Sequence, residues 1–259
     1  MKTRAFTLLE LLVVITIIAI LAGLSLGVAR VARERGHTAQ CLSNLRQLAA
    51  ANLAHAADNG GQYVTAQDPS NTIRWHGTRE GGDGAFDPTK GPLAPYLGSE
   101  GRVKFCPALR EVLKGEDTFE EGTGGYGYNA TYIGGTPRDR YTGERSANVP
   151  RAALTVMFTD AGFPRANGLQ EYAYCEPFRS IDAAGRLRGT LSPSVHFRHG
   201  DRANVAWCDG HASSEQSTQL GGGNVYGGDA KKWKIGWFGP SDENGYWNPG
   251  RSYANAPGN

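Results

Sequence analysis

Between Phe6 and Ala29 the chain carries one charged residue, Glu10, and the nineteen residues from Leu11 to Ala29 carry none. A helix rises about 1.5 Å per residue, so a stretch of this length covers nearly all of a hydrocarbon core roughly 30 Å thick. The pattern predicts one membrane-spanning helix. From Arg30 to Asp58 the character changes without a break. There is no proline and one glycine, Gly36, while Leu42, Leu45, Ala49, Leu53 and Ala56 recur at spacings of three and four. Such spacing puts them in one apolar stripe along a helix. Asn59-Gly60-Gly61 supplies the residue types that end a helix. Phe6 to Asp58 is 53 residues, about 80 Å of rod if uninterrupted, with Gly23, Gly27 and Gly36 as candidate kinks.

After Gly61 the helical period gives way to short apolar or aromatic runs bounded by turn residues. Ala152 to Phe158, Ala203 to Cys208, His211 to Glu215 and Tyr128 to Ile133 are the candidate strands, and together they predict a mainly antiparallel sheet. Asp209-Gly210 lies between two of them, the pattern of a two-residue hairpin with positive φ at both central positions. The glycine-rich tracts at residues 81–84, 122–127 and 221–228 predict loops. Trp233, Trp237 and Trp247 fall in the tail from Trp233 to Tyr253, so this tail is expected to dock on the body, leaving only residues 254–259 free.

Composition sharpens the division. The 36 glycines and 13 prolines make up about a fifth of the 259 residues, which excludes a purely helical protein. Mean hydropathy is −0.44 despite the apolar segment, so one membrane-compatible stretch is joined to a polar body. Lys plus Arg number 27 against 25 acids; that balance provides no basic surplus for nucleic acid.

A basic start (Lys2, Arg4) and the small residues Gly27-Val28-Ala29 also fit a secretory signal peptide cut after Ala29. The apolar run is longer than the usual ~7–15 residues of such a signal, and an acid sits inside it. An ionisable group near hydrocarbon is costly and by default functional. Ala5-Phe6-Thr7-Leu8-Leu9-Glu10 resembles the processing site of type IV prepilins and type II secretion pseudopilins. The resemblance implies cleavage between Ala5 and Phe6 by a prepilin peptidase, N-methylation of Phe6, and assembly through Glu10, which would pair with the freed amine of a neighbouring subunit. Ala5 stands where that family nearly always has Gly.

Cys41-Leu42-Ser43-Asn44-Leu45-Arg46-Gln47-Leu48 is similar to the C-x-x-N-L-[KR]-Q-L signature of a bacterial subfamily of prepilin-like proteins that also carry an H-x9-DG motif. His199 and Asp209-Gly210 match that second motif, with Phe105-Cys106-Pro107, Tyr126 to Asn129 and Phe158-Thr159-Asp160 as weaker waypoints. The positions of the subfamily waypoints favour disulfides between Cys41 and Cys106 and between Cys175 and Cys208, although four cysteines allow three pairings. Exported domains default to disulfides and cytosolic ones to free thiols.

Candidate chemistry in the body is sparse. His199, Asp201, Asp209 and His211 are of metal-ligating type, but turn geometry accounts for a hairpin residue without a ligand, and no metal is assigned to them. Some pseudopilins hold structural calcium, and Asp/Gly-rich loops occur here, yet no EF-hand string is present. H-E-x-x-H and the phosphate-cradling G-x-x-x-x-G-K-[ST] are missing, and the one G-x-S-x-G string, Gly23 to Gly27, falls inside the uncharged membrane-compatible run, so no catalytic residue and no cofactor are assigned.

The expectation is an α+β, pilin-like protein. Residues 1–5 form a leader, 6–29 a transmembrane and assembly helix, and 30–58 its amphipathic continuation. Residues 59–253 form an extracytoplasmic head of mainly antiparallel sheet and long loops, including an H-x9-DG hairpin at 199–215, and 254–259 a free tail. Its partners are the prepilin peptidase, other pilin or pseudopilin subunits and the inner membrane, which it crosses once. Loss of the leader removes two of the 27 basic residues, leaving 25 against 25 acids, so little net repulsion opposes packing of many copies. Two other classes remain open: a membrane-anchored binding protein that does not polymerise, with Trp75, Trp233, Trp237 and Trp247 available for glycan stacking, and a secreted hydrolase.

Overall fold

The computed structural model describes residues 7–250, apart from residues 82–83, 114–119, 136–140, 183 and 225 and the side chains of residues 24–27. The expected leader, with Ala5 and Phe6, and the expected free tail at residues 254–259 lie outside the described residues.

One helix, α1, runs from Leu8 to Asp58 without interruption. Its 51 residues span about 76 Å; neither Gly23 nor Gly36 breaks it. It stops where the sequence places the stop, with Asn59 as C-cap and the Gly61 amide donating to the Ala56 carbonyl at 2.7 Å. Along its second half Cys41, Asn44, Leu45, Leu48, Ala49, Asn52 and Ala56 are buried, while Leu42 and Leu53 lie at the edges of the stripe. Two asparagines thus sit in the apolar seam. Each is paired: Asn44 Nδ2 donates to the Tyr126 hydroxyl at 3.0 Å, and Asn52 Nδ2 donates to the Tyr128 hydroxyl at 3.1 Å. Asn52 Oδ1 in turn accepts from the Val64 amide at 2.8 Å, so both ends of that buried amide are hydrogen-bonded.

The helix packs on a four-stranded antiparallel sheet: β1 (Tyr126–Tyr128), β2 (Val156–Asp160), β3 (Arg202–Trp207) and β4 (Ala212–Gln216), in spatial order β4-β3-β2-β1. Strand alternation divides β3 between two cores. Ala206 faces the core against α1, with Tyr126, Tyr128, Phe158 and Trp75. Ala203, Val205 and Trp207 face a second core with Phe178, Phe197, Trp237, Phe238 and Trp247. Three buried indoles hold one irregular segment between them. Trp75 donates to the Ala173 carbonyl at 2.8 Å, Trp247 to Cys175 at 3.0 Å and Trp237 to Glu176 at 3.1 Å. The tail therefore docks on the body as its tryptophans predict, with Trp233 half-buried at its start. Asn129 fastens it further by donating to the Val156 and Trp247 carbonyls, both at 2.9 Å.

Two strands keep their expected bounds to within one residue, Arg202–Trp207 and Ala212–Gln216, and two differ by more. Ala152–Leu154 is a 3-10 turn and the strand begins at Val156. The expected strand from Tyr128 to Ile133 ends where it was to begin, because the Asn129 carbonyl accepts from the Ile133 and Gly134 amides and closes a turn there. The hairpin around Asp209-Gly210 forms, but with a three-residue loop. The Trp207 amide bonds to the His211 carbonyl at 3.0 Å and the Gly210 amide to the Trp207 carbonyl at 2.9 Å. Of the two residues only Gly210 has positive φ, 92°. This is a type I turn closed by a left-handed glycine. Gly210→Ala is expected to destabilise the head by about 1–2 kcal/mol, the cost of a Cβ in the left-handed region. Urea unfolding followed by tryptophan fluorescence measures it, and an unchanged midpoint would count against this turn geometry.

Candidate functional site

The amino-terminal half of α1 is an unpartnered apolar surface. Every large apolar side chain from Leu8 to Leu21 is exposed, and the most apolar 18-residue window has mean hydropathy 2.8 with none of it buried. The helix is long and apolar enough to cross a bilayer. Its start is a capping box, read from Thr-x-x-Glu: Thr7 Oγ1 accepts from the Glu10 amide at 3.2 Å, and Glu10 Oε2 accepts from the Thr7 amide at 2.9 Å and the Thr7 hydroxyl at 2.8 Å. Glu10 is therefore hydrogen-bonded within its own chain. No cation stands beside it among the described residues, so the hydrogen bonds satisfy its oxygens but leave its charge uncompensated.

A second constellation lies under the other half of α1. Cys41 Sγ, Cys106 Sγ and a ring nitrogen of His199 lie within 4.8 Å of one another, all in buried residues. Cys41 comes from α1, Cys106 from the residue that caps the short helix Pro107–Arg110, and His199 from the turn that leads into β3. Around them Arg198 and Asp160 form an ion pair at 2.8 Å whose side chains are 2% and 0% exposed. Asp160 Oδ2 is also 3.3 Å from His199 Nε2 and accepts from the Asn204 amide at 2.7 Å. Arg198 spends its donors on Cys106 Sγ (3.3 Å), Ala161 O (3.0 Å) and Gly125 O (2.6 Å). A buried guanidinium survives because nearly all its donors are taken.

The charges are mutually arranged. Burial opposes ionisation of Cys106, but a hydrogen bond from the Cys41 thiol, the Arg198 guanidinium and His199 outweigh it and pull the Cys106 thiol down to about 4. Cys41 moves the other way, held as a thiol by that hydrogen bond and by burial. His199 loses favour for its charge on burial, yet the Asp160 carboxylate beside it raises it to about 9. Burial alone would raise Asp160; Arg198 and His199 hold it below the usual carboxylate range.

Of the residues read from the H-x9-DG spacing, the structure brings His199 into this cluster and leaves Asp209 and Gly210 at the far end of β3. The six residues of β3 account for roughly 20 Å of that separation. The spacing thus joins the turn before a strand to the turn after it. Asp201 pairs with Lys234 at 2.5 Å, and Asp209 pairs with His211 at 2.6 Å. His199, Asp201, Asp209 and His211 therefore do not form one ligand set. All four cysteines are buried; Cys41 and Cys106 are neighbours, Cys175 packs in the tryptophan-rich core and Cys208 in the core against α1. In the sequence Asp160 reads only as the last residue of the Phe158-Thr159-Asp160 waypoint, with no role assigned, and the one signal for Arg198 is its adjacency to His199. Trp75, Trp237 and Trp247 are at most 3% exposed and offer no stacking face to a glycan.

Residues 1–26 match a family model described as the prokaryotic N-terminal methylation motif. The chain is in this respect a prepilin- or pseudopilin-like protein, and its long amino-terminal helix on an antiparallel head agrees with a pilin-like α+β fold. Comparison with curated proteins finds no match, and comparison with solved structures finds none.

Proposed function

We propose that the chain is a structural subunit of a type IV pilus-like filament or a type II secretion pseudopilus. In this reading a prepilin peptidase cuts between Ala5 and Phe6 and methylates Phe6. Residues 6–29 then anchor the subunit in the inner membrane and bundle with other subunits in the filament, while the head is extracytoplasmic. The head presents a surface and performs no catalysis. The observation that carries this reading is an uninterrupted helix whose exposed apolar half holds a single carboxylate, Glu10, within the matched motif at residues 1–26.

Bilayer lipid and neighbouring helices are the two environments that cover such a surface. Glu10 favours the second, because a neighbour's Phe6 amine supplies a cation that none of the described residues of its own chain places beside it. N-terminal sequencing and intact-mass measurement of the protein from the cell envelope test the reading. The expected mature chain begins at N-methylated Phe6. A chain beginning at Arg30 would overturn the proposal, since neither Glu10 nor the apolar helix would remain.

A further inference from the structure

We propose that Cys41, Cys106 and His199 form a binding site for one thiophilic divalent cation of the zinc class. Two thiolates and an imidazole are donors that zinc selects. A tetrahedral zinc ion with sulfur at about 2.3 Å and nitrogen at about 2.0 Å places its ligands about 3.4–3.8 Å apart. Cys106 Sγ and His199 Nε2 are 3.7 Å apart, and all three donor atoms fall within 4.8 Å of one another, so small rotations complete the geometry. The His199 ring is already oriented for the task. Its Nδ1 is 3.3 Å from Thr38 Oγ1, which leaves Nε2 facing the sulfurs; metal-binding histidines are typically held in this way through their other nitrogen.

Charge and access agree with the donor set. Two thiolates and the buried Asp160 carry three negative charges, and a dication with Arg198 carries three positive ones, so an occupied site is neutral in a buried setting. Asp160 Oδ2 lies 3.3 Å from His199 Nε2 but is not one of the three convergent donors, so a fourth ligand would come from solvent. A cleft of about 420 Å³, lined by His37, Glu111, His196 and Trp233 among others, reaches Arg198 and His199 from solvent and provides a path for the ion. The ion would join three segments distant in sequence and so clamp α1 to the head. The same two sulfurs cannot both ligate an ion and form a disulfide.

The test is cobalt titration of the full chain, reduced, without a histidine tag and in detergent. One equivalent of Co²⁺ is expected to bind with thiolate-to-cobalt charge-transfer and tetrahedral ligand-field absorption, and Zn²⁺ should bleach both. Cys41→Ser and Cys106→Ser should each remove these bands, whereas Cys175→Ser should keep them. Thr38→Ala, at a half-buried position on the helix surface, should weaken cobalt affinity roughly 10–100-fold through the freed imidazole. Three results would each overturn the proposal: a fully reduced wild-type chain that gives no cobalt–thiolate absorption, bands that persist in both serine variants, or a Cys41–Cys106 disulfide in protein taken from the envelope. The first and third are read on the wild-type chain, so a serine variant that fails to fold does not shield the proposal.

Discussion

Replacing Glu10 with alanine is expected to abolish incorporation into filaments while leaving cleavage before Phe6 and membrane insertion intact. The apolar surface from Leu8 to Leu21 is unchanged by the substitution, so partition into lipid persists and even improves. What disappears is the one charge on that surface able to attract a neighbour's terminal amine. The capping box disappears with it, because Glu10 Oε2 is the acceptor for the Thr7 amide at 2.9 Å. Glu10→Gln separates the two contributions. It keeps a side-chain acceptor for Thr7 and removes the charge, so it should insert normally and still fail to assemble. Cross-linking between cysteines introduced along the exposed half of α1 reads assembly, and fractionation reads insertion. Wild-type cross-linking yields from Glu10→Gln would show that the cap, rather than the charge, is what assembly uses.

The second large effect is expected in the head. Asp160→Ala leaves Arg198 buried without its counterion and strips the Asn204 amide of its acceptor. Breaking one side of a fully buried ion pair costs about 3–5 kcal/mol, mainly through the charge left behind. That is a large share of the stability of a typical domain, about 5–15 kcal/mol. Urea unfolding of the full chain in detergent, with excess chelator so that ion occupancy does not enter, measures the loss. Arg198→Ala should cost a similar amount, and the double variant less than the sum of the two, since no lone charge remains. A loss below about 1 kcal/mol for Asp160→Ala, the size typical of an exposed pair, would mean that this pair is not the anchor of the site.

The elements with a strong period were legible in the sequence. α1 follows from an uncharged run joined to a three-and-four stripe, and its end from Asn59-Gly60-Gly61. The hairpin followed from Asp209-Gly210, but its loop length did not. Trp207 and His211 stack at 5.6 Å and nearly parallel, and Asp209 Oδ1 accepts from the His211 amide at 3.0 Å, so side chains at the ends of the loop favour three residues over two. β1 was misplaced because Tyr-Gly-Tyr carries a glycine that weakens any strand signal. That glycine is required by a partner far away: a Cβ on Gly127 would lie 2.5 Å from the backbone of Tyr174. The site shows the same limit. Cys41, Cys106, Asp160 and His199 were each visible as parts of separate motifs, but nothing local says that they meet. Their convergence depends on α1 lying across β2 and β3, which is a tertiary fact.

The Asn44–Tyr126 and Asn52–Tyr128 pairs run side by side along the seam between helix and head, two turns of α1 apart. A pull on the head parallel to the helix axis therefore loads both pairs and the packed ridge between them simultaneously, in shear. Bonds strained together in parallel share tension and yield as a group, whereas a peeling force would open them one after another. The seam is built to transmit traction along the rod, and a tug applied across it would meet far less resistance.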